Sequence, residues 1–210
     1  MGDAPTPVAR GPIAPADPVT IVDGWEVSAR RSSAALTLAD VTATAKVLLK
    51  ADANGAFAAA ALAFGRARRE GDRLEIGSSP GEWLYLAPPA DRERLVEELG
   101  AVAAGAGELL TVSDLTHGRA MMRLTGVEAP RLMAKICAIN LADTVTPDLA
   151  AFRTSVAKTV TDVVRDDVGG RRSYLLICDR SVGQYLFDCV LDAGGEWGID
   201  IEGWVTESTR

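Results

Sequence analysis

The sequence has few histidines and cysteines, the side chains from which zinc centres are usually built. It contains a single histidine and three cysteines in 210 residues. The cysteines, Cys137, Cys178 and Cys189, form no Cys-x-x-Cys pair, whereas a zinc site needs four ligands that usually lie in paired clusters. We therefore expect no metal site in this chain, and we interpret the three cysteines as reduced side chains buried in apolar stretches.

Long apolar runs and long basic runs are missing as well. No stretch approaches the roughly 20 apolar residues that a membrane-spanning helix requires. The net charge is −7, and this acidic balance argues against nucleic acid or an anionic membrane as the main partner. The first residues show neither the basic region nor the hydrophobic region of a secretory signal, so we expect a cytoplasmic protein.

The sequence also lacks the motifs of nucleotide binding and of nucleophilic catalysis. It contains no Gly-x-Gly-x-x-Gly and no Walker-type loop, so we expect no nucleotide or flavin site. The unperturbed pKa of a histidine would suit a general base, but no Gly-x-Ser-x-Gly elbow or comparable partner accompanies His117. We interpret His117 as a structural residue and assign no catalytic residue.

Proline density separates an N-terminal segment from the remainder of the chain. The first eighteen residues carry five prolines, a density that excludes a helix or a central strand. We predict an extended tail over residues 1–18, which either is free or lies on a partner subunit. The length suits one well-buried domain, which we place at residues 19–204, with a short C-terminal tail at 205–210.

The spacing of apolar residues predicts strands and helices in a repeated order. Strands are predicted over 19–29, 36–41, 47–49, 66–69, 74–76, 83–87, 119–125, 154–164 and 173–178. Helices are predicted over 56–64, after Asp91, over 128–139 and after Ser181. Each half therefore runs β-α-β-β-α, which predicts an α+β fold of two pseudo-repeated halves, with antiparallel sheets and helices packed on one face.

The segment from residue 114 to residue 133 has the clearest local pattern. Apolar and polar side chains alternate over 119–125, which is typical of a half-buried strand. Gly126 ends that strand, and Pro130 is compatible with the first turn of a following helix, where its missing N–H is no loss. The pattern predicts a strand, a tight corner and a helix.

The same segment resembles a known family. Asp114-Leu115-Thr116-His117, then Thr125-Gly126, then a helix that starts with Ala129-Pro130-Arg131-Leu132, is similar to the start of the folate-binding aminomethyltransferase fold of the glycine-cleavage T protein. With the segments at 65–69, 81–86 and 174–186, the short chain resembles the gamma subunits of heterotetrameric sarcosine oxidases. The resemblance implies an aminomethyltransferase-like domain.

The resemblance also implies a function. It indicates a non-catalytic accessory subunit of a flavin-dependent complex that oxidatively demethylates sarcosine or a related N-methyl amine. Large alpha and beta flavoprotein subunits and a small zinc-binding delta subunit would be the partners, and FAD, FMN, NAD, tetrahydrofolate and zinc would lie in them. The alternatives are a stand-alone folate-binding or folate-dependent one-carbon protein and a regulatory module of the same fold.

Asp162 is the residue that the resemblance connects with folate. In the family, an acidic residue that follows a Gly-Gly pair contacts the pterin or assists methylene transfer, and Asp162 lies at the matching position. Lys158 and Thr159 stand where those glycines would be, and glycine permits close approach of the backbone to a ligand. We interpret Asp162 as a weak relic of a folate site, at a strand edge or the surface.

The remaining charged candidates have structural interpretations. Asp114 and Glu128 lie where carboxylates can accept hydrogen bonds from backbone N–H groups at a turn and a helix start. Four arginines have side chains that bind carboxylates or phosphates in bidentate fashion, but they are scattered and we assign them no site: Arg119, Arg123, Arg131 and Arg153.

Trp197, Ile199 and Trp204 follow the last predicted helix in a glycine-rich segment. Tryptophan combines a large apolar area with a polar N–H and is enriched at interface hot spots. We regard these three residues as interface candidates, with folding back onto the domain as the alternative. Trp83 lies within a predicted strand and is expected in the core.

Overall fold

Residues 7–204 are described by the structure, a computed structural model, and they form three sheets and four α-helices. The strands are β1 (Ala9–Arg10), β2 (Val19–Val22), β3 (Trp25–Ser28), β4 (Thr37–Asp40), β5 (Ala45–Lys50), β6 (Ala67–Glu70), β7 (Arg73–Ser79), β8 (Glu82–Ala87), β9 (Thr111–Asp114), β10 (Arg119–Thr125), β11 (Ala151–Val156), β12 (Thr159–Arg165), β13 (Ser173–Asp179) and β14 (Asp200–Glu202). The helices are α1 (Ala56–Ala60), α2 (Arg92–Gly105), α3 (Ala129–Ile136) and α4 (Gly183–Gly194).

The two larger sheets share an internal order. The first sheet runs β6-β7-β8-β5-β9, and the second runs β11-β12-β13-β10-β4-β14. Along the chain, β5-α1-β6-β7-β8-α2 in the first half corresponds to β10-α3-β11-β12-β13-α4 in the second half. The predicted α+β fold with two pseudo-repeated halves is confirmed, and each half has one strand more than predicted.

The two sheets pack face to face and carry their helices on the outer faces. The layer between them contains apolar side chains from both sheets: Leu74, Ile76, Leu84, Leu86, Met121, Val164, Leu175 and Ile177. Helices α3 and α4 cover the second sheet, and α2 covers the first, where Trp83 lies in the core as expected. Side chains alternate between the two faces of each strand. Polar side chains on the inner faces of the two sheets therefore also lie in the layer between the sheets.

Strand β10 is buried on both faces, whereas the alternating pattern predicted a half-buried strand. Met122 packs on the helix side and Met121 on the side of the other sheet. Arg123 is also buried, and its charge is paired with Asp166 at 2.6 Å. The predicted alternation of side chains is correct. The sequence pattern does not show, however, that the polar residue Arg123 has a buried carboxylate partner.

Two predicted single strands are hairpins in the structure. The segment 19–29 turns at Asp23 and Gly24, whose φ values are 47° and 78°. The segment 154–164 turns at residues 157 and 158, with φ values of 46° and 66°. Positive φ at both central residues is the geometry of a type I′ turn, which matches the twist of the strands that it joins.

Two of the predicted helices are shorter in the structure. α1 ends at Ala60, four residues before the predicted end, and has no buried residue. α3 ends at Ile136, because Cys137 adopts extended backbone and bridges to Val156. No described helix is long and apolar enough to cross a membrane.

The predicted carboxylate cap of α3 is wrong, and α2 has no carboxylate cap either. Asp91 and Glu128 occupy the positions before α2 and α3 but accept no capping hydrogen bond. They pair instead with Arg94 and Arg131, each at 2.9 Å and three residues further along the chain. An arginine three residues on competes for the carboxylate that would otherwise face the backbone.

Residues 7–18 lie against the domain, which differs from the predicted tail. Ile13 is 2% exposed within the core beneath α4. The N–H of Ala14 donates a hydrogen bond to Gln184 at 2.7 Å, and Arg180 donates one to the carbonyl of Arg10 at 2.7 Å. Residues 1–6 and the predicted C-terminal tail at 205–210 lie outside the described residues.

Candidate functional site

A cavity of about 190 Å³ lies between the two sheets, around Asp162. Ten residues line it: Leu48, Lys50, Ser78, Glu82, Leu84, Leu115, Arg119, Arg153, Asp162 and Ile177. They come from strands of both halves and from the turn after β9, so only the packing of the two sheets brings them together. The cavity is therefore a product of the tertiary fold.

The carboxylate of Asp162 is held by arginine. Nε of Arg153 donates to Oδ1 at 2.6 Å and Nη2 donates to Oδ2 at 3.4 Å, while Nη1 of Arg119 lies 3.9 Å from Oδ2. Arg153 and Asp162 are directly opposite each other in β11 and β12. The hydrogen bond to Asp162 raises the pKa of Arg153 above its ordinary value.

A second ion pair lies on the opposite wall of the cavity. Nζ of Lys50 is 2.6 Å from Oε1 of Glu82, its cross-strand neighbour in β8. The hydroxyl of Ser78 donates to the backbone carbonyl of Glu82 at 3.2 Å. Lys50 and Glu82 were not singled out in the sequence, because isolated charges at strand ends give no sign of facing a common cavity.

The residues of this cavity do not fit tetrahydrofolate. Ligand pockets usually enclose about 300–1,000 Å³, which exceeds the cavity volume. Both oxygens of Asp162 already accept hydrogen bonds from Arg153. Lys158, which stands in place of a family glycine, lies at the exposed β11–β12 turn with φ 66°. We therefore derive no chemical step through folate at this site.

The four candidate arginines separate into three environments. Arg119 and Arg153 converge on Asp162, whereas Arg123 binds Asp166 and Arg131 lies over the ring of Trp197, 5.5 Å from its centroid. The prediction that they are scattered is therefore wrong for one pair. The sequence does not indicate that Arg119 and Arg153 are neighbours, because β10 and β11 are brought into one sheet only by the tertiary fold.

Asp166 has two arginine partners in the interior. Arg123 from the second sheet and Arg69 from the first sheet both donate to its carboxylate, at 2.6 Å and 2.7 Å. Burial raises the pKa of Asp166, but the two guanidinium groups outweigh burial and hold the pKa below its ordinary value. This cluster joins the two sheets and leaves the carboxylate fully engaged.

The Asp114-Leu115-Thr116-His117 motif begins at the last residue of β9, leads to β10 and is hydrogen-bonded to the start of β5. Asp114 accepts a hydrogen bond from the N–H of Thr116 at 2.9 Å and another from Arg92 at 2.6 Å. Thr116 in turn accepts from the N–H of Lys46 at 3.0 Å. Burial acts to raise the pKa of Asp114, but these hydrogen bonds lower it overall. The turn interpretation of Asp114 agrees with this geometry.

His117 lies in a ring stack. Its imidazole is parallel to the indole of Trp25, with centroids 4.7 Å apart and planes 13° apart. Burial and the positive charge of Arg92 lower its pKa. The stack connects the motif to β3 of the N-terminal sheet. This geometry agrees with the interpretation of His117 as a structural residue.

Lys46 is a buried charge that the sequence pattern did not reveal. It is 0% exposed, and its Nζ donates to the carbonyls of Thr42 and Thr44 at 2.7 Å each. Burial lowers its pKa to about 7, against the opposing effect of Asp40 and Asp114. Its amine is enclosed by backbone oxygens, so the geometry indicates a structural group.

The tryptophan segment folds back onto the domain. Trp204 is 9% exposed in the layer between the sheets, and its backbone N–H donates to the carbonyl of Ser28 at 2.8 Å. Ile199 and Trp197 are partly buried against the core of the second half. Of the two alternatives for this segment, the structure shows packing on the chain itself, and Trp197 alone of the two indoles retains partly exposed area for a partner.

The cysteines are free thiols. Cys137 and Cys178 are buried and Cys189 is half-buried, and burial raises the pKa of Cys178 to about 11. Within residues 7–204, no group of three or more histidine, cysteine or acidic side chains is arranged to hold a metal ion.

Comparisons with known proteins bear on the fold. No protein-family model matches the sequence, and no curated protein matches it either. The structure is similar to a heterotetrameric sarcosine oxidase from Corynebacterium sp. U-96 in complex with pyrrole 2-carboxylate, with a TM-score of 0.68 and 21% identity, over 84% of this chain and 91% of that chain.

A second similar structure is the glycine cleavage system aminomethyltransferase T from Bartonella henselae. The TM-score is 0.69 and the identity 14%, over 88% of this chain and 55% of that chain. The chain thus spans about half the length of that aminomethyltransferase. Together these similarities establish that residues 7–204 have the fold of an aminomethyltransferase-type domain.

Proposed function

We propose that this chain is the non-catalytic accessory (gamma) subunit of a sarcosine oxidase-like complex, which oxidatively demethylates sarcosine or a related N-methyl amine. The similarity extends over 91% of the sarcosine oxidase chain but only 55% of the aminomethyltransferase chain. The similarity to the sarcosine oxidase chain, with a TM-score of 0.68, supports this proposal.

The observation that carries the non-catalytic role is the state of Asp162. Its carboxylate is paired with Arg153 at 2.6 Å inside a cavity of about 190 Å³. An acid that assists methylene transfer must contact the ligand or exchange a proton with it. Here both oxygens of the Asp162 carboxylate accept hydrogen bonds from Arg153 instead. In this proposal the chain has the aminomethyltransferase-type fold, and Asp162 serves to pair β12 with Arg153 of β11.

Under this proposal, the chemistry belongs to partner subunits. The partners are large alpha and beta flavoprotein subunits and a small zinc-binding delta subunit, and they hold FAD, FMN, NAD, tetrahydrofolate and zinc. The complex as a whole is an oxidoreductase of the cytoplasm. The accessory chain contributes by binding the assembled state, which stabilises that state by mass action.

Co-purification from the native source, with identification of the bound chains, tests the proposal. We expect large flavoprotein subunits to accompany the chain. In that complex, Asp162→Asn is expected to leave turnover of an N-methyl amine within a fewfold of the unaltered complex. A loss of about a thousandfold with assembly intact would place Asp162 in the reaction and overturn the non-catalytic role.

Titration with tetrahydrofolate separates this proposal from the alternative of a stand-alone folate-dependent protein. The purified chain is expected to show no saturable binding. Saturable binding that Asp162→Asn weakens would support the alternative instead. A stable native complex without flavoprotein subunits would indicate the regulatory module.

A further inference from the structure

The N-terminal sheet has two edge strands, the two-residue β1 and the four-residue β2. This sheet runs β1-β3-β2, so β2 pairs with β3 on one side and has no described strand on the other. The edge strands β6 and β11 of the two larger sheets differ from β2, because the segments at their starts are hydrogen-bonded to each other. Backbone hydrogen bonds of 2.7 Å and 3.0 Å connect Ala67 to Leu149 and Ala151 to Gly65.

The register of the hairpin fixes which backbone groups of β2 face the open edge. Val22 pairs with Trp25 next to the two-residue turn, and Ile21 pairs with Glu26. In a two-residue hairpin the pair that flanks the turn exchanges both hydrogen bonds, and the pairs then alternate. The N–H and C=O groups of Ile21 and Val19 therefore point away from β3, toward the open edge.

The side chains of β2 leave this edge unprotected. Val19 is 42% exposed and Ile21 is 51% exposed, and the strand Val-Thr-Ile-Val contains no charged residue and no proline. Natural proteins usually protect open edges with lysine, proline, a bulge or a covering segment. An apolar strand with outward backbone donors and acceptors is the arrangement that accepts an added strand.

The charges at the two ends of β2 oppose pairing with a second copy of the chain. An antiparallel pair of two β2 strands that uses both outward residues places Val19 opposite Ile21 of the other copy. The same register places Asp17 of each copy opposite Asp23 of the other. Like charges directly opposite each other are destabilising, and the chain carries a net charge of −7.

We propose that β2 is a docking edge for an extended segment of a partner polypeptide, apolar in its centre and basic at both ends. The centre pairs with the backbone of Val19 and Ile21 and packs on their side chains. The basic ends lie opposite Asp17 and Asp23. This inference rests on the proposed function, in which larger subunits hold the chain.

Amide hydrogen exchange on the co-purified complex tests the edge directly. The amides of Val19 and Ile21 are expected to exchange at least tenfold more slowly in the complex than in the isolated chain. The amide of Thr20, which faces β3, serves as the internal control and is expected to change less. Equal exchange of Val19 and Ile21 in the two states would overturn the docking edge.

A matched pair of variants separates backbone pairing from loss of folding. Ile21→Pro removes an outward N–H at an edge position, where proline is tolerated, and Ile21→Thr keeps that N–H and a β-branched side chain. We expect Ile21→Pro to weaken assembly at least tenfold and Ile21→Thr to retain it within a fewfold, with equal circular dichroism spectra. Undiminished assembly of Ile21→Pro would overturn the inference.

The charged ends have their own test. Asp17→Asn combined with Asp23→Asn is expected to slow association with the partner subunits severalfold and to flatten its dependence on salt. Association of the unaltered chain that does not vary with salt would refute the basic ends. If no flavoprotein subunit co-purifies, the proposed function itself falls; if the complex forms without using β2, this inference alone falls.

Discussion

The two halves of the molecule share a topology but differ in how deeply their helices are packed. In the second half, α4 buries six residues, among them Leu186, and α3 buries three more, among them Leu132. In the first half, α2 buries only Leu95 and Leu99 over fourteen residues, and α1 buries none. A repeated order of elements therefore does not require a repeated distribution of buried apolar area, which is the quantity that stabilises each half.

The halves also accommodate buried charge in different ways. Asp166 in the second half lies between Arg123 and Arg69. Lys46 in the first half forms no ion pair with a carboxylate among residues 7–204, and its Nζ donates to the carbonyls of Thr42 and Thr44. A paired charge keeps its ionised form in the interior, whereas a lysine held by neutral carbonyls loses much of its preference for the proton.

Removing the charge of Asp166 is expected to have the largest effect on this comparison. Asp166→Asn leaves Arg123 and Arg69 without their carboxylate, which costs about 3–5 kcal/mol of the free energy of unfolding. Urea denaturation at neutral pH measures it. Glu196→Gln, which removes the exposed partner of Lys135, is the control and is expected to cost less than about 1 kcal/mol.

The pH dependence of the same group has a defined sign. The pKa of Asp166 is lowered in the folded chain, so its contribution to stability is present above the unfolded pKa of about 3.9 and is lost as the pH falls below it. The Asn variant is expected to lose less stability than the unaltered chain on acidification. An equal loss would mean that Asp166 carries no acid-sensitive stability.

Truncation of one leucine in each helical layer compares the two layers directly. Leu186→Ala is expected to cost about 3–5 kcal/mol and Leu99→Ala about 2–3 kcal/mol, because Leu186 is 0% exposed in the core of the second half and Leu99 is 7% exposed beneath α2. Thermal and urea unfolding provide the measurement. Val102→Ala on α2, at a side chain that is 45% exposed, controls for helix propensity; a larger cost at Leu99 than at Leu186 would reverse the comparison.

Lys46 predicts a rise of stability with pH. Its pKa is about 7 in the folded chain against an ordinary value of 10.5, so the unfolded chain binds more protons above pH 7. The free energy of unfolding is therefore expected to increase by about 1–2 kcal/mol between pH 7 and about 8.5. Above that interval Cys178, with its pKa raised to about 11, acts in the opposite direction.

The variant Lys46→Met tests this assignment. Its side chain has a similar length and no titrating amine, so the increase of stability between pH 7 and about 8.5 is expected to disappear. Denaturant unfolding at closely spaced pH values measures the slope. If the slope persists in the variant, another group is responsible for it.

The smallest expected effect concerns the stack that joins the N-terminal sheet to the motif after β9. Loss of the aromatic pair in His117→Ala is expected to cost about 0.5–1.5 kcal/mol. A double-mutant cycle with Trp25→Leu isolates the ring interaction from the loss of buried area. A coupling energy near zero would show that the two rings contribute independently. The stack would then not stabilise the contact between the motif and the N-terminal sheet.

Much of the fold was predictable because its signals are local. The alternation over 119–125, the glycine at 126 and the proline at 130 predicted β10, the corner and α3, and the structure confirms all three. The strands at 66–69 and 74–76 are predicted as well, and they pair with each other as β6 and β7. Boundaries were less accurate, as for α1, because a run of alanines favours helix but offers little apolar area to bury.

The candidate site was predictable only in part. Asp162 was found through a family resemblance and does lie in a cavity, but its environment was expected at a strand edge or the surface and is instead 7% exposed beside Arg153. Lys50 and Glu82 were missed altogether. Each lies at a strand end, and nothing in a strand pattern tells which other strand faces that end.

The sequence by itself determined the order of strands and helices, since hydrophobic period, glycine and proline act within a few residues. Only the tertiary structure decided the partners of the buried charges. Asp162 joins Arg119 and Arg153, and Asp166 joins Arg69 and Arg123, from strands far apart in the chain. The physical reason is that a buried charge is stable only beside a partner or enough hydrogen bonds, and those partners exist once the two sheets have packed.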